Sequence, residues 1–100
     1  MRMDRAAPIA VIGGANIDIS AKYISPVNTV GDSNHGHIFT SAGGVARNIA
    51  ENLARLGSPV QLITGLGDDW FSTSVRTSLN LPLLDISACY AAPNTPSDIY

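Results

Sequence analysis

The chain has 100 residues, which is enough for one small domain and too few for two. Hydrophobic residues make up 45% of the sequence and charged residues 14%, which predicts a packed core. The formal net charge of −2 gives no electrostatic reason to expect nucleic acid or an anionic membrane as a partner. Cys89 is the single cysteine, so an internal disulfide bond is excluded and a reducing, cytoplasmic location is the simpler interpretation.

Two strand patterns open the sequence. Ile9–Ile12 is a continuous apolar run, which is typical of a strand buried on both faces in a parallel sheet. Apolar and polar residues then alternate, so Asn16 and Asp18 lie on the same face of a strand. A carboxylate and an amide in this arrangement can bind adjacent hydroxyl groups. The alternative is that these two residues only end the strand and begin a turn.

Residues 24–36 are rich in Ser, Pro, Asn, Gly and Asp and predict a connection with little regular structure. A short strand, His37–Thr40, then leads to a pair of glycines. Asp32, His35 and His37 could be drawn together as a metal site. Histidines in a polar loop are usually solvated, however, and no further ligands stand out, so no metal site is predicted.

The glycine pair, Gly43 and Gly44, precedes a helical pattern. Neither residue carries a Cβ atom, so the backbone here can approach a ligand closely. The helix that follows points its unpaired N–H groups and its positive dipole end toward this loop. Asn48 lies in the first turn, where its amide can donate and accept hydrogen bonds. The stretch therefore predicts a site for an oxygen-rich ligand.

An apolar stripe at helical spacing predicts the core face of that helix, and three alanines allow it to pack closely: Val45, Ile49, Leu53 and Leu56, with Ala46, Ala50 and Ala54. Gly57 and Pro59 end the helix. Val60–Leu66 is predicted to be the next strand. Strand, excursion, helix and strand in this order predict a parallel βαβ arrangement and an α/β fold.

A second helix follows Gly67. Asp68 or Asp69 is expected to cap it, and its apolar positions predict core residues: Trp70, Phe71, Val75 and Leu79. A dinucleotide-binding fingerprint is excluded because Trp70 stands where the third glycine would be needed. Leu83–Tyr90 and Ser97–Tyr100 are predicted as strands, with a turn-rich break between them. The chain ends within the second of these runs without a cap or polar tail, so we expect it to continue.

Gly43–Asn48, followed by Ala50, Gly57 and Gly67 at their respective spacings, resembles the first signature of the ribokinase-like (PfkB) carbohydrate kinase family. Val11–Asp18 resembles the first strand of that family. The resemblance implies a ribokinase-like parallel sheet with flanking helices, in which residues 1–100 form the N-terminal part of a single domain. It also implies that the segments at about 19–40 and 86–100 supply strands of a small β lid, through which a homodimer is expected.

Within the family, Asp32–Gly36 followed by the glycine pair is most similar to the pseudouridine kinases, which use ATP to phosphorylate a ribose 5′-hydroxyl; ribokinase or another nucleoside or sugar kinase is the alternative. The resemblance implies that one set of residues binds the sugar: Asn16, Asp18, Gly43, Gly44 and Asn48. It places the selectivity for the base near Asp32, Ser33 and Asn34. Arg47 either contacts substrate or phosphate or pairs with an acidic neighbour.

The family's second signature, a Gly-Ala-Gly-Asp loop that carries the catalytic base, does not occur in these residues. The resemblance therefore implies that the catalytic residues, the ATP site and the ligands for Mg²⁺ and K⁺ lie downstream. These 100 residues alone are expected to be inactive. A truncated, non-catalytic chain that binds a nucleoside or dimerises is the alternative from another functional class.

Overall fold

The computed structural model describes residues 7–24 and 29–100, which form an α/β fold. The seven strands are β1 (Ile9–Ile12), β2 (Asn16–Tyr23), β3 (Gly36–Gly43), β4 (Val60–Ile63), β5 (Gly65–Leu66), β6 (Leu84–Asp85) and β7 (Tyr90–Ala91). The two helices are α1 (Val45–Arg55) and α2 (Trp70–Ser78). Neither helix, within this described part of the chain, is long and apolar enough to cross a membrane.

The central sheet has the strand order β1-β4-β6, and both pairs are parallel. β1 pairs with β4 from Ile9 opposite Val60 to Ile12 opposite Ile63. Helix α1 precedes β4 and packs against it, which confirms the predicted parallel βαβ arrangement. Val60 and Leu62 of β4 are fully buried because this strand lies between the other two and beneath α1.

The buried face of α1 differs from the prediction. Its buried apolar residues are Ala46, Ala50 and Ala54, and Leu53 packs against the core as predicted, whereas the larger side chains of Val45, Ile49 and Leu56 are exposed. The reason is close backbone approach at the start of the helix: a Cβ atom on Gly13 would lie 2.9 Å from the Cβ atom of Ala46. Only small side chains fit against that turn, so the alanine stripe faces the sheet while Val45, Ile49 and Leu56 are turned outward.

Two predicted strands are each divided in the structure. Val60–Leu66 separates at Thr64, where the chain leaves the central sheet and β5 pairs in parallel with β7. The Thr64 carbonyl accepts a hydrogen bond from the Tyr90 N–H at 2.9 Å, which marks the change of partner. Leu83–Tyr90 likewise forms β6 and β7, separated by a turn in which Asp85 Oδ1 accepts a hydrogen bond from the Ser87 N–H at 2.8 Å.

Helix α2 begins as predicted, because Asp69 Oδ1 accepts a hydrogen bond from the Ser72 N–H at 3.1 Å. Val75 and Leu79 are buried, and Phe71 packs against the core. The prediction that Trp70 is a core residue is wrong, since it is 67% exposed. Trp70 lies on a side of the helix that does not face the sheet. Its ring stacks on the ring of Phe71, with 4.2 Å between the ring centroids.

Strands β2 and β3 pair along their whole length as an antiparallel ribbon, from Asn16 opposite Gly43 to Tyr23 opposite Gly36. The end near Ile17, which we call the base, is buried in the core, and the end near Tyr23, which we call the tip, is exposed. Of the predicted lid segments, residues 19–24 and 29–40 form the outer part of this ribbon and its connection. Residues 86–100 contain β7 and a parallel bridge from Ile99 to Ile17 of β2.

Candidate functional site

An open cavity of about 540 Å³ lies at the base of the ribbon. Its walls come from the β1–β2 turn, the first residues of β2, the start of α1 and the segment 98–100. Its lining residues are Gly14, Ala15, Asn16, Asp18, Gly44, Val45, Asn48, Asp98 and Tyr100. Four of the five residues assigned to the sugar site by sequence resemblance are among them. The fifth, Gly43, lies directly behind Asp18.

Asn16 and Asp18 lie on the same face of β2, as the alternating pattern predicts. Asn16 Nδ2 donates a hydrogen bond to Asp18 Oδ1 at 2.8 Å, so the two side chains hold each other in place. A Cβ atom on Gly43 would overlap Asp18 Oδ2, which means that only glycine allows the carboxylate to lie over β3. The Asp18 Oδ2 atom and the side-chain amide oxygen of Asn16 remain as acceptors for ligand hydroxyl groups.

Gly44 joins the ribbon to α1 and has φ of 103°, a conformation that favours glycine. A Cβ atom here would lie 2.5 Å from the Gly14 carbonyl oxygen and 2.7 Å from the Ala15 Cα atom. The backbone contact continues in the next turn, where the Arg47 N–H donates to the Gly14 oxygen at 3.3 Å. This close approach brings Asn48 of α1 to the same cavity as Asn16 of β2.

Arg47 is buried and contacts Asn48 of the cavity wall without lining the cavity itself. Its side chain donates to Asn48 Oδ1 at 2.8 Å, to Glu51 Oε1 at 2.6 Å and to Ser78 Oγ at 3.1 Å. The sequence left two roles open for Arg47, and in the structure Arg47 pairs with an acidic neighbour, Glu51. The hydrogen bond from Arg47 lowers the pKa of Glu51, partial burial opposes this, and the charges of Arg47 and Arg55 add to the lowering.

Asp98 and Tyr100 are site residues that the sequence reasoning missed. The Ile17 N–H donates to the Asp98 carbonyl at 3.0 Å and the Tyr100 N–H donates to the Ile17 carbonyl at 2.9 Å, so this segment runs parallel to β2. Since Ile99 is paired with Ile17, Asp98 and Tyr100 lie on the face of Asn16 and Asp18. The alternation of Ser97–Tyr100 was visible in the sequence, but its partner strand was not.

The predicted selectivity residues lie elsewhere. Asp32, Ser33 and Asn34 are exposed in the connection at the tip and do not line the cavity. Asn34 Nδ2 donates to the carbonyls of Thr29 and Asp32, both at 3.1 Å, so it stabilises its own turn. In the ranges 7–24 and 29–100, no three His, Cys, Asp or Glu side chains are grouped as a metal site would require, and this includes Asp32 with its neighbouring histidines.

The loop after β5 fixes the position of the Asp98 segment. Asp69 Oδ1 accepts a hydrogen bond from Ser97 Oγ at 2.6 Å, and Asp69 Oδ2 accepts one from the Ser97 N–H at 2.8 Å. These bonds, the side-chain one first, lower the pKa of Asp69. Gly67 packs so closely on the same segment that a Cβ atom would overlap the Ser97 backbone. The N-cap of α2 therefore also positions one wall of the cavity.

The family model described as pfkB family carbohydrate kinase matches residues 6–100. The chain is 36% identical over 92 residues to the pseudouridine kinase of Escherichia coli strain K12, covering 92% of this chain and 29% of that protein. It is 38% identical over 71 residues to a guanosine-inosine kinase of Exiguobacterium acetylicum, covering 71% of this chain and 23% of that protein.

Among solved structures, Arabidopsis thaliana ribokinase complexed with ribose and ATP is similar to this chain with a TM-score of 0.80 and 26% sequence identity. That match covers 95% of this chain and 31% of the ribokinase chain. The predicted ribokinase-like fold is thereby confirmed. The chain spans less than a third of the length of each of these three relatives.

Proposed function

Because the chain belongs to the PfkB family of carbohydrate kinases, we propose that it forms the acceptor-binding part of an ATP-dependent kinase that acts on a neutral nucleoside or sugar. The finer proposal is pseudouridine as the acceptor, phosphorylated at the ribose 5′-hydroxyl, and it is supported by the 36% identity to a pseudouridine kinase. Ribose or another nucleoside is the alternative acceptor. The observation that carries the proposal is the single cavity that gathers Asn16, Asp18, Gly44 and Asn48.

The cavity offers complementary hydrogen-bonding groups for a polyhydroxylated acceptor. Asp18 supplies a carboxylate that accepts hydrogen bonds from hydroxyl groups, and Asn16 holds that carboxylate at 2.8 Å. Asn48 adds an amide from the first turn of α1. Gly44 has no side chain, so a sugar ring can lie directly against its backbone. Two vicinal hydroxyl groups match this arrangement better than a single one.

Charge in the cavity further restricts the proposed acceptor. Asp98 adds a second carboxylate on the same face as Asp18, and among the residues that the structure describes none of the lining side chains is basic. Two carboxylates repel a phosphate or carboxylate group on a ligand. We therefore expect the acceptor to be uncharged, as nucleosides and free sugars are, and a phosphorylated sugar to bind more weakly.

The same charge pattern does not fit a triphosphate in this cavity. We propose, from the family resemblance, that the sites for ATP, Mg²⁺ and K⁺ lie outside the described residues. In phosphoryl transfer the protein mainly positions the reactants and stabilises the charge of the transferring group. The residues of this chain would bind the acceptor and orient its hydroxyl group for in-line attack. None of them is proposed as the catalytic base, and the 100 residues alone are expected to transfer no phosphoryl group.

The test is a substrate panel with the natural full-length protein and ATP. Pseudouridine, uridine, inosine and ribose are compared by initial rates, and ribose 5-phosphate serves as the anionic competitor. We expect the highest kcat/KM with pseudouridine and weak competition by ribose 5-phosphate. Equal rates on pseudouridine, uridine and ribose would contradict the finer proposal. Absence of turnover on every neutral acceptor would contradict the kinase proposal itself.

A non-catalytic, dimerising role is the second candidate, and one feature of the ribbon favours association in either case. The face opposite the cavity is mostly apolar and becomes exposed toward the tip, with Ile19, Tyr23 and Ile38 all accessible. We propose that this outer part of the ribbon acts as the lid and pairs with that of a second copy. Analytical ultracentrifugation of the full-length protein should show a dimer. A monomer at micromolar concentration would contradict this proposal.

We further propose a cytoplasmic location, in keeping with the single cysteine Cys89.

A further inference from the structure

We propose that Arg47 is a positioning residue that fixes the amide of Asn48 in one orientation, with its NH₂ group presented to the bound nucleoside or sugar. This inference rests on the proposed function of the cavity as the acceptor site. It extends that function by assigning a defined polarity to Asn48: the ligand atom that meets this side chain is a hydrogen-bond acceptor, such as a hydroxyl oxygen.

The first argument is the geometry of the guanidinium group. Arg47 is 7% exposed, and three of its nitrogens are each bonded to a different partner. Nη1 donates to Asn48 Oδ1 at 2.8 Å, Nη2 to Glu51 Oε1 at 2.6 Å, and Nε to Ser78 Oγ at 3.1 Å. A planar fork held at three corners has little freedom to rotate.

The second argument is chemical. A guanidinium group has only donors and stays protonated, so the atom of Asn48 that faces it must be the carbonyl oxygen. The NH₂ group is then on the other branch of the amide, and Asn48 is a residue of the cavity wall. An unconstrained asparagine could turn either group toward a ligand. With Arg47 in place, Asn48 presents a donor while Asp18, across the cavity, presents an acceptor.

The third argument is that both helices hold Arg47. Glu51 lies one turn further along α1, and Ser78 closes α2. Ser78 Oγ accepts the bond from Arg47 and donates its own proton to the Val75 carbonyl at 2.5 Å, so its lone pair is directed at the arginine. The orientation of Asn48 is therefore tied to the packing of α2 against α1, although α2 itself contributes no residue to the cavity wall.

Arg55 supplies a matched control on the same helix. It also contacts Glu51, with 3.4 Å between Arg55 Nε and Glu51 Oε2, but its side chain is 62% exposed and bonds neither Asn48 nor Ser78. Replacing either arginine by lysine keeps the charge. Only Arg47→Lys removes the planar fork from beneath Asn48, because the single ammonium group cannot serve three partners in fixed directions.

The kinetic test uses the full-length protein with Arg47→Lys, Arg55→Lys, Asn48→Ala and the double variant Arg47→Lys/Asn48→Ala. We expect Arg47→Lys to raise the KM for the acceptor about 10-fold, the loss of one well-placed hydrogen bond, with kcat and the KM for ATP unchanged. Arg55→Lys should match the wild type. In the Asn48→Ala background, Arg47→Lys should have no further effect on the acceptor KM.

Two kinetic outcomes overturn the inference: an unchanged acceptor KM in folded Arg47→Lys, or an equal rise in KM with and without Asn48. The second result would show that Arg47 acts through general packing. Should Arg47→Lys not fold, Ser78→Ala removes one anchor of the guanidinium and leaves the arginine in place. A rise of about 3-fold in acceptor KM that vanishes with Asn48→Ala supports the inference, and no change overturns it.

A spectroscopic test separates this inference from the proposed function. The side-chain NH₂ signal of Asn48 is assigned by its loss in Asn48→Ser, and its rotation about the C–N bond is measured by NMR. A carbonyl held by a guanidinium should slow that rotation, and Arg47→Lys should speed it while Arg55→Lys does not. If no neutral acceptor is turned over, the proposed function fails and this measurement still decides the role of Arg47. Equal rotation in all three proteins overturns it.

Discussion

The base and the tip of the β2–β3 ribbon share one register of strand pairing but have opposite surroundings. At the base, Ile17 is 2% exposed and both edges of β2 are occupied, by β3 on one side and by the Asp98 segment on the other. At the tip, Ile38 lies on the same face as Ile17 and is 72% exposed. The pairing alone therefore does not determine what a position contributes. The contacts on its faces do.

The largest expected difference between the two ends comes from glycines with positive φ. Gly44→Ala at the base places a Cβ atom 2.5 Å from the Gly14 oxygen and should lower the free energy of unfolding by about 4 kcal/mol. Gly31 at the tip has φ of 82°, and a Cβ atom there would meet no atom of residues 7–24 or 29–100 within 4 Å, so Gly31→Ala should cost about 1 kcal/mol. Urea unfolding measures both, and similar losses would show that backbone strain, and not the close approach, dominates at Gly44.

The next prediction compares two isoleucines on one face. Ile17→Ala should reduce stability by about 3 kcal/mol because it leaves a cavity in the core. Ile38→Ala should change stability by less than about 0.5 kcal/mol because the side chain is already in water. In the full-length protein, Ile38→Ala should instead weaken dimer formation, which sedimentation would detect. A large loss of monomer stability at Ile38 would erase the distinction between base and tip.

A third prediction concerns charge. In the wild type, repulsion between the Asp98 carboxylate and a phosphate group should weaken binding by on the order of 1 kcal/mol. Asp98→Asn at the base removes that repulsion and should strengthen binding of ribose 5-phosphate about 5-fold. Asp32→Asn at the tip makes the same change of charge outside the cavity and serves as the control. Calorimetric titration compares the two. Equal effects would mean that overall charge, and not position in the site, governs discrimination.

The smallest expected effect is a pH dependence at the loop that holds the base. The hydroxyl and N–H of Ser97 lower the pKa of Asp69 below its ordinary value of 3.8 in the folded protein. The resulting stabilisation is present above the unfolded pKa and is lost as the pH falls through the lower folded pKa. The stability difference between wild type and Asp69→Asn should therefore shrink between about pH 5 and pH 3. Ser97→Ala should reduce this pH dependence, and an identical profile in the two proteins would contradict the assignment.

The sequence predicted those features that short-range patterns determine. The glycine loop before α1, the cap of α2 by Asp68 or Asp69 and the shared face of Asn16 and Asp18 all depend on neighbouring residues in the chain. The parallel arrangement of β1 and β4 was predicted from the order strand, helix, strand. The same holds for the gathering of Gly44 and Asn48 in one cavity, because a helix start follows its own loop.

The predictions that were wrong or missing concern features that depend on tertiary contacts. Which stripe of α1 is buried was decided by contact with the Gly13–Gly14 turn, and periodicity alone favoured the larger side chains. Trp70 was predicted from its hydrophobicity as a core residue, but its position on α2 turns it toward water. Asp98 could not be predicted as a site residue because its strand partner, β2, lies far away in the sequence.

The parallel contact between the Asp98 segment and β2 also determines when the cavity can exist during synthesis. Asn16, Asp18 and Asn48 leave the ribosome first, whereas the wall formed by Asp98 and Tyr100 follows only after both helices have emerged. Contacts between residues so far apart in sequence form late in folding, since the intervening chain must first be ordered. A nascent chain therefore displays the glycine loop and the open edge of β2 before it has a complete binding site.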